Sequence, residues 1–150
     1  MMHIVILENI RSAYNVGNVL RTADALGRKV RITGYTPSPR EHPKVRKTSL
    51  GAEDSVALQQ FDFTTQAIQE AKRQGMQVIA AEITANALSL ASFQPNASSL
   101  AIVFGNEVEG VLEQTLAEVD AVVAIPMHGV KESLNIGQSA AIFMRALRSA

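Results

Sequence analysis

Cysteine is absent from the 150 residues, which excludes disulfides and thiolate metal sites. Histidine is scarce: His3, His42 and His128 stand far apart without metal-ligand spacing, so no metal is expected. Although 47% of the chain is apolar, no apolar run approaches the roughly 20 residues of a membrane span. The opening MMHIVILENIR has neither a basic leader nor a small-residue cleavage site, and reads as a first strand of a cytoplasmic protein. Five prolines and nine glycines are too few for a disordered or fibrous chain; the composition is that of one globular domain.

The formal net charge is zero, and the balance hides an asymmetry. Residues 1–47 carry nine Lys/Arg against three Asp/Glu, a net of +6, whereas residues 48–120 carry two against ten, a net of −8. Arg28 to Lys47 alone holds seven basic residues against Glu41. Such a stretch is either an anion-binding face or a solvated loop.

Short β-branched runs alternate with helical patterns. HIVIL (3–7), 29–35, MQVIAA (76–81), LAIVF (100–104) and AVVAI (121–125) read as strands buried on both faces. Val16, Val19, Leu20, Ala23 and Leu26 fall at helical spacing ahead of Gly27, and residues 65–74, 111–117 and 135–148 read as further helices. Residues 36–47, with three prolines, read as loop; 49–56 is ambiguous and is expected to end in a short strand; 86–99 reads as loop with one helical turn around Leu88. The alternation predicts an α/β fold, a mostly parallel sheet flanked by helices on both faces, with ligands beyond the carboxyl ends of the strands.

Three stretches carry candidate chemistry. In the first, Asn15, Asn18 and Arg21 are spaced by three and share a helix face off the apolar stripe. Arg21 there is either a solvated arginine or a fork for phosphate, and Asn15 either a helix cap or a site residue. In the second, FGNEVEG (104–110), Gly105 follows a strand directly, where a ligand can approach the backbone. Glu107 either orients a cofactor, pairs with a basic residue or stabilises the N-terminus of the following helix. In the third, IPMHGVKESLN (125–135), Asn135 and Gln138 resemble a capping pair. Ile125, Met127 and Leu134 are placed either to flank an adenine ring or simply to lead into a well-capped helix.

Taken in order, the stretches match a known pattern. N-x-G-x-x-x-R-x-A-x-x-x-G is Asn15, Gly17, Arg21, Ala23 and Gly27; G-N-E-x-x-G is Gly105, Asn106, Glu107 and Gly110; I-P-M-x-G followed by S-L-N is Ile125, Pro126, Met127, Gly129, Ser133, Leu134 and Asn135. RKTSLGA (46–52) also fits the segment found between the first two motifs. The chain thus resembles the SpoU (TrmH-like) branch of the SPOUT RNA methyltransferases over nearly its whole length. One departure is Ile136-Gly137 after S-L-N, where the family usually has a valine and a small polar residue.

The resemblance implies an α/β fold with a deep C-terminal trefoil knot, S-adenosyl-L-methionine as cofactor, and RNA ribose 2′-hydroxyls as substrate, tRNA foremost with rRNA as the alternative. It implies a homodimer built from one domain, 1–150, without a separate RNA-binding extension. By the same resemblance, Gly105, Ile125, Met127, Ser133 and Leu134 bind the cofactor, and Arg21, Asn15, Glu107, Ser133 and Asn135 serve catalysis. Arg11, Arg21, Arg40, Lys44, Arg46 and Lys47 are the expected RNA contacts. The rival readings are a base-methylating relative, a non-catalytic knotted module that binds RNA or cofactor, and a generic nucleotide-binding α/β protein. The last finds neither GxGxxG nor GxxxxGK[ST] in the chain.

Overall fold

A computed structural model describes residues 2–147. The strands are β1 (His3–Glu8), β2 (Lys29–Thr33), β3 (Leu58–Phe61), β4 (Gln77–Ala81), β5 (Leu88–Ser89), β6 (Leu100–Phe104) and β7 (Ala121–Ala124). The helices are α1 (Ala13–Ala25), α2 (Arg46–Ser49), α3 (Ala52–Ser55), α4 (Thr64–Arg73), α5 (Glu113–Leu116) and α6 (Ile136–Ala146). The strands form one sheet in the order β3-β2-β1-β6-β4-β7-β5, with every neighbouring pair parallel.

Side-chain alternation along the strands divides the core in two. Val5, Leu7, Leu100, Ile102 and Phe104 face the side covered by α1 and α6, where Val16, Val19, Leu20, Ala140, Phe143 and Met144 meet them. Ile4, Ile6, Ala101 and Val103 face the other side, covered by α4 and flanked by Leu116 of α5. Double-sided burial explains why these strands are unbroken apolar runs rather than alternating ones. Phe104 meets Phe143 edge to face, with ring centres 5.6 Å apart, and so joins the end of β6 to α6.

Several local expectations are corrected. Asn15 is not the cap of α1: Ser12 is, its hydroxyl accepting from the Asn15 amide at 3.2 Å. Residues 49–56 are helical turns, and the strand falls later, at β3. That edge strand carries the polar pair Gln59-Gln60, which hid it from an apolar pattern. Leu88 lies in the short strand β5, not in a helical turn. The proline-rich loop contains a 3-10 turn over Pro43–Val45. Asn135 does cap α6, accepting from the Gly137 amide at 2.8 Å. The final helix was expected to reach Arg148, which lies outside the described residues.

Two arginines of the basic stretch prove to be structural. Arg28 is buried and its Nη2 donates to the Met144 carbonyl at 2.7 Å, near the C-terminal end of α6, where a cation is favoured. Arg31 is buried beside the Phe61 ring and donates to the Ala67 carbonyl at 3.0 Å. The stretch from 28 to 47 is therefore not a continuous cationic face. Among the described residues, no helix is long and apolar enough to cross a membrane.

Gly17 is fixed by a close approach. A Cβ there would lie 2.0 Å from Thr48 Oγ1 and 2.3 Å from the Val45 carbonyl, so only glycine lets the 45–49 segment dock on α1. Gly17→Ala gains about 1 kcal/mol of helix propensity but loses about 1–3 kcal/mol to overpacking. We expect net destabilisation in urea unfolding, whereas a variant as stable as wild type would show that this docking is loose.

Candidate active site

Because all strands are parallel, the carboxyl ends of β1, β4, β6 and β7 share one edge of the sheet. A cleft of about 860 Å³ opens there, lined by Glu82 and Ile83 after β4, by 105–111 after β6, by Ile125 and Met127 after β7, and by 132–136. The sequence-derived residues Gly105, Glu107, Ile125, Met127, Ser133, Leu134 and Asn135 all line it. Its lining includes the carboxylates Glu82, Glu107, Glu109 and Glu132, with no lysine or arginine. A second cleft of about 880 Å³, under Leu90, Phe93 and Ile142, has only Ile125 and Pro126 from the three motifs, and His3 as its titratable group. The first holds the motif chemistry.

One chain of hydrogen bonds joins the three motifs. Glu107 Oε1 accepts from the Arg11 amide at 2.9 Å, and Oε2 accepts from the Ser12 amide at 3.0 Å and from Asn15 Nδ2 at 3.2 Å. Asn15 Oδ1 then accepts from Asn135 Nδ2 at 3.3 Å. Glu107 thus stabilises the entry to α1, not the helix that follows it in sequence. Burial raises the Glu107 carboxyl, but these donors outweigh it and hold its pKa below the ordinary carboxylate value.

Gly105 lines the cleft and is also required by the turn itself. A Cβ on it would lie 2.4 Å from the backbone of Gly110 and Val111, so the turn closes on itself at this point. Sequence reasoning missed Glu82, whose Oε2 accepts from the Val111 amide at 2.8 Å and fixes the far end of that turn. A carboxylate placed directly after a buried strand was its only signal. Glu8 was missed too: buried at the end of β1, it accepts from the Leu112 amide at 3.0 Å and from the Thr115 hydroxyl. Gly137, the departure from the family pattern, faces Asn18 of α1 rather than the cleft.

Arg21 does not line the cleft. It lies exposed in a shallow groove between α1 and α6 with Asn18 and Arg145, and Asn135 borders both this groove and the cleft. Among the described residues, no hydrogen bond or ion pair joins Arg21 to Asn15 or Asn135. Arg11, Arg40, Lys44 and Lys47 are exposed. Arg46 is engaged, its guanidinium 3.6 Å from Glu53 and hydrogen-bonded to the Pro39 carbonyl at 3.4 Å.

With this geometry in place, the comparisons with known proteins are decisive. The model of the SpoU rRNA Methylase family matches residues 2–145. The chain belongs to this family. It is 32% identical over 144 residues to a tRNA (guanosine(18)-2′-O)-methyltransferase of Thermus thermophilus, covering 93% of this chain and 71% of that one. It is 30% identical over 145 residues to a 23S rRNA (guanosine-2′-O-)-methyltransferase of Neisseria meningitidis, covering 97% of this chain but 57% of that one, little more than half its length. Among solved structures, an AdoMet-bound rRNA methyltransferase from Sinorhizobium meliloti superposes with a TM-score of 0.85 at 25% identity, over 99% of this chain and 57% of the other. A structure concerning 2-OH methylation of C/U34 on tRNA superposes at 0.83 and 28% identity, over 96% and 92%.

The lowered Glu107 pKa has a testable sign. A carboxylate depressed by folding contributes its stability above the unfolded pKa, and that contribution is lost as pH falls through the folded value. Glu107→Gln should therefore cost about 1 kcal/mol near neutral pH, the carboxylate being exposed. Thermal melts from pH 7 to 3 should bring the two proteins together at the acidic end; a gap independent of pH would contradict the role.

Proposed function

We propose that the protein is an S-adenosyl-L-methionine-dependent RNA ribose 2′-O-methyltransferase acting on tRNA. The observation that carries this is that the second and third family motifs line one cleft at the strand ends and that the first is hydrogen-bonded to both of them through Asn15. The acidic lining favours a ligand bearing cationic groups and opposes a polyphosphate, which weighs against the generic nucleotide-binding reading. S-adenosylmethionine, with its sulfonium and ammonium, fits that donor set, and the volume lies within the usual range of small-molecule sites. Ile125, Met127 and Leu134 would flank the adenine, with backbone around Gly105 and Ser133 holding its polar edge. When bound, the cofactor supplies the transferable methyl group.

The chain's own residues then position RNA. A guanidinium is not a general base in proteins, so Arg21 takes another role. It holds an RNA phosphate beside the attacking 2′-hydroxyl, and that phosphate assists removal of the proton. Asn135, shared between groove and cleft, orients the ribose, and Asn15 and Glu107 fix Asn135. Arg11, Arg40, Lys44 and Lys47 contact the RNA backbone, while Arg46 acts chiefly by bracing the 39–53 segment. The family's C-terminal trefoil knot, a homodimer and a cytoplasmic setting complete the same proposal; the packing of α6 on α1 is consistent with a knotted C-terminal segment.

The direct test incubates the protein with radiolabelled S-adenosylmethionine and unmodified tRNA or rRNA, then identifies the labelled nucleoside. A 2′-O-methylated nucleoside in tRNA is expected; a labelled base would redirect the chemistry, label in rRNA alone would redirect the substrate, and cofactor binding without transfer would favour the non-catalytic module. Arg21→Ala should lower turnover about 100-fold or more with cofactor affinity unchanged, and Arg21→Lys should not restore it. Full turnover in Arg21→Ala would remove Arg21 from the mechanism. Replacing Lys44 and Lys47 with Ala should reduce the log–log salt slope of tRNA binding by about 1.4–1.8, the value for two lost phosphate contacts.

A further inference from the structure

Tyr35 is held in a way its own burial does not explain. Its ring is 59% exposed, so it contributes little to the core. Yet it is pinned at both ends. Its backbone amide donates to Asn9 Oδ1 at 3.2 Å, and its hydroxyl accepts from Asn106 Nδ2 at 2.8 Å. Asn106 is buried, and every hydrogen-bonding position of its amide is in use. Oδ1 accepts from the Val108 and Glu109 amides at 2.8 Å, and Nδ2 serves the Asn9 carbonyl at 2.8 Å as well as Tyr35. Asn9 adopts a left-handed conformation at φ 51°, rare for a residue with a side chain. Its Oδ1 fills the space that a Cβ on Gly34 would occupy, 1.8 Å away.

Two partners, the buried Asn106 and the half-buried Asn9 in its left-handed backbone conformation, therefore fix an aromatic residue that is left open to solvent. The ring's anchor sits between Gly105 and Glu107, both on the cleft. Its other anchor lies two residues from the exposed Arg11. The tyrosine hydroxyl accepts from Asn106 and keeps its own proton for donation. An exposed aromatic face held in place from behind is the arrangement that stacks unpaired bases.

We propose that Tyr35 is a base-stacking residue that positions an unpaired nucleobase of the RNA next to the nucleotide being methylated. This rests on the reading of the protein as an RNA methyltransferase. Asn106 thereby ties the position of the stacked base to the loop that lines the cleft.

The composition supplies the probe. The chain has no tryptophan and only two tyrosines, so Tyr14→Phe leaves Tyr35 as the sole tyrosine fluorophore. Titrating this variant with unmodified tRNA transcript should quench its emission. Tyr35→Phe, which carries Tyr14 alone, corrects for absorption by the RNA. In the methylation assay, Tyr35→Ala should raise KM for tRNA about 5- to 100-fold, the span of one base–aromatic stack. Its affinity for S-adenosylmethionine should not change, and Tyr35→Phe, which keeps the ring but loses the Asn106 bond, should raise KM less than Tyr35→Ala does. Unchanged Tyr35 emission at saturating tRNA, or a wild-type KM in Tyr35→Ala, overturns the inference while leaving the enzyme an RNA methyltransferase. A wild-type protein that transfers no methyl group to any RNA overturns the functional reading, and this inference with it.

Discussion

The Glu107 carboxylate is the contact on which the rest of the site depends. Its donors come from the start of α1, almost a hundred residues earlier, and through Asn15 it reaches the cap of α6. An exposed carboxylate gains strength from each of its three charge-assisted bonds, and the Asn15 amide that donates to it also accepts from Asn135, so these two bonds polarise one another. Without it, the loop after β6, the entry to α1 and the loop before α6 have no common reference point. The sheet sets where these segments begin, and Glu107 sets how they face one another.

Charge is partitioned by the same geometry. The carboxylates after β4 and β6, and Glu132, surround the cleft, while Arg11 and Arg21 lie exposed at the start of α1 and along it, and Arg40, Lys44 and Lys47 lie exposed on the 40–47 segment. A molecule bridging the two regions has to present positive charge to one and phosphate to the other, as a sulfonium cofactor and an RNA strand do together. Glu8 and Glu82 add rigidity from below, each fixing a backbone amide at one end of the 105–112 turn. This is why Gly105 and Gly110 tolerate no side chain: their Cβ positions are already taken by backbone and by Glu82.

The parallel sheet and the cleft were legible because both are written locally. Apolar runs such as LAIVF mark strands buried on both faces, and the motif residues lie at the strand ends where a parallel sheet gathers them. What escaped reading depends on contacts far apart in sequence. Arg28 and Arg31 look like surface charges until the Met144 and Ala67 carbonyls are brought to them. Asn106 stood in the motif without a role, since its partners Asn9 and Tyr35 are remote from it. Strand β3 was displaced because an edge strand needs no apolar alternation. Asn15 was read as a possible cap because its residue type suits that position, yet Ser12 three residues earlier takes it.

The pairing of β1 with β6 carries a consequence for how the molecule comes into being. His3 to Leu7 lie in register with Leu100 to Phe104, so β1 waits during synthesis for residues about a hundred positions later. At ordinary synthesis rates that interval is about 5–20 s. Throughout it, β1 can pair with β2 on one edge while its other edge stays open and apolar. The nascent chain must remain unaggregated with half a sheet exposed, and α6, the helix that Arg28 anchors, can dock only once residues more than a hundred positions beyond Arg28 have been made.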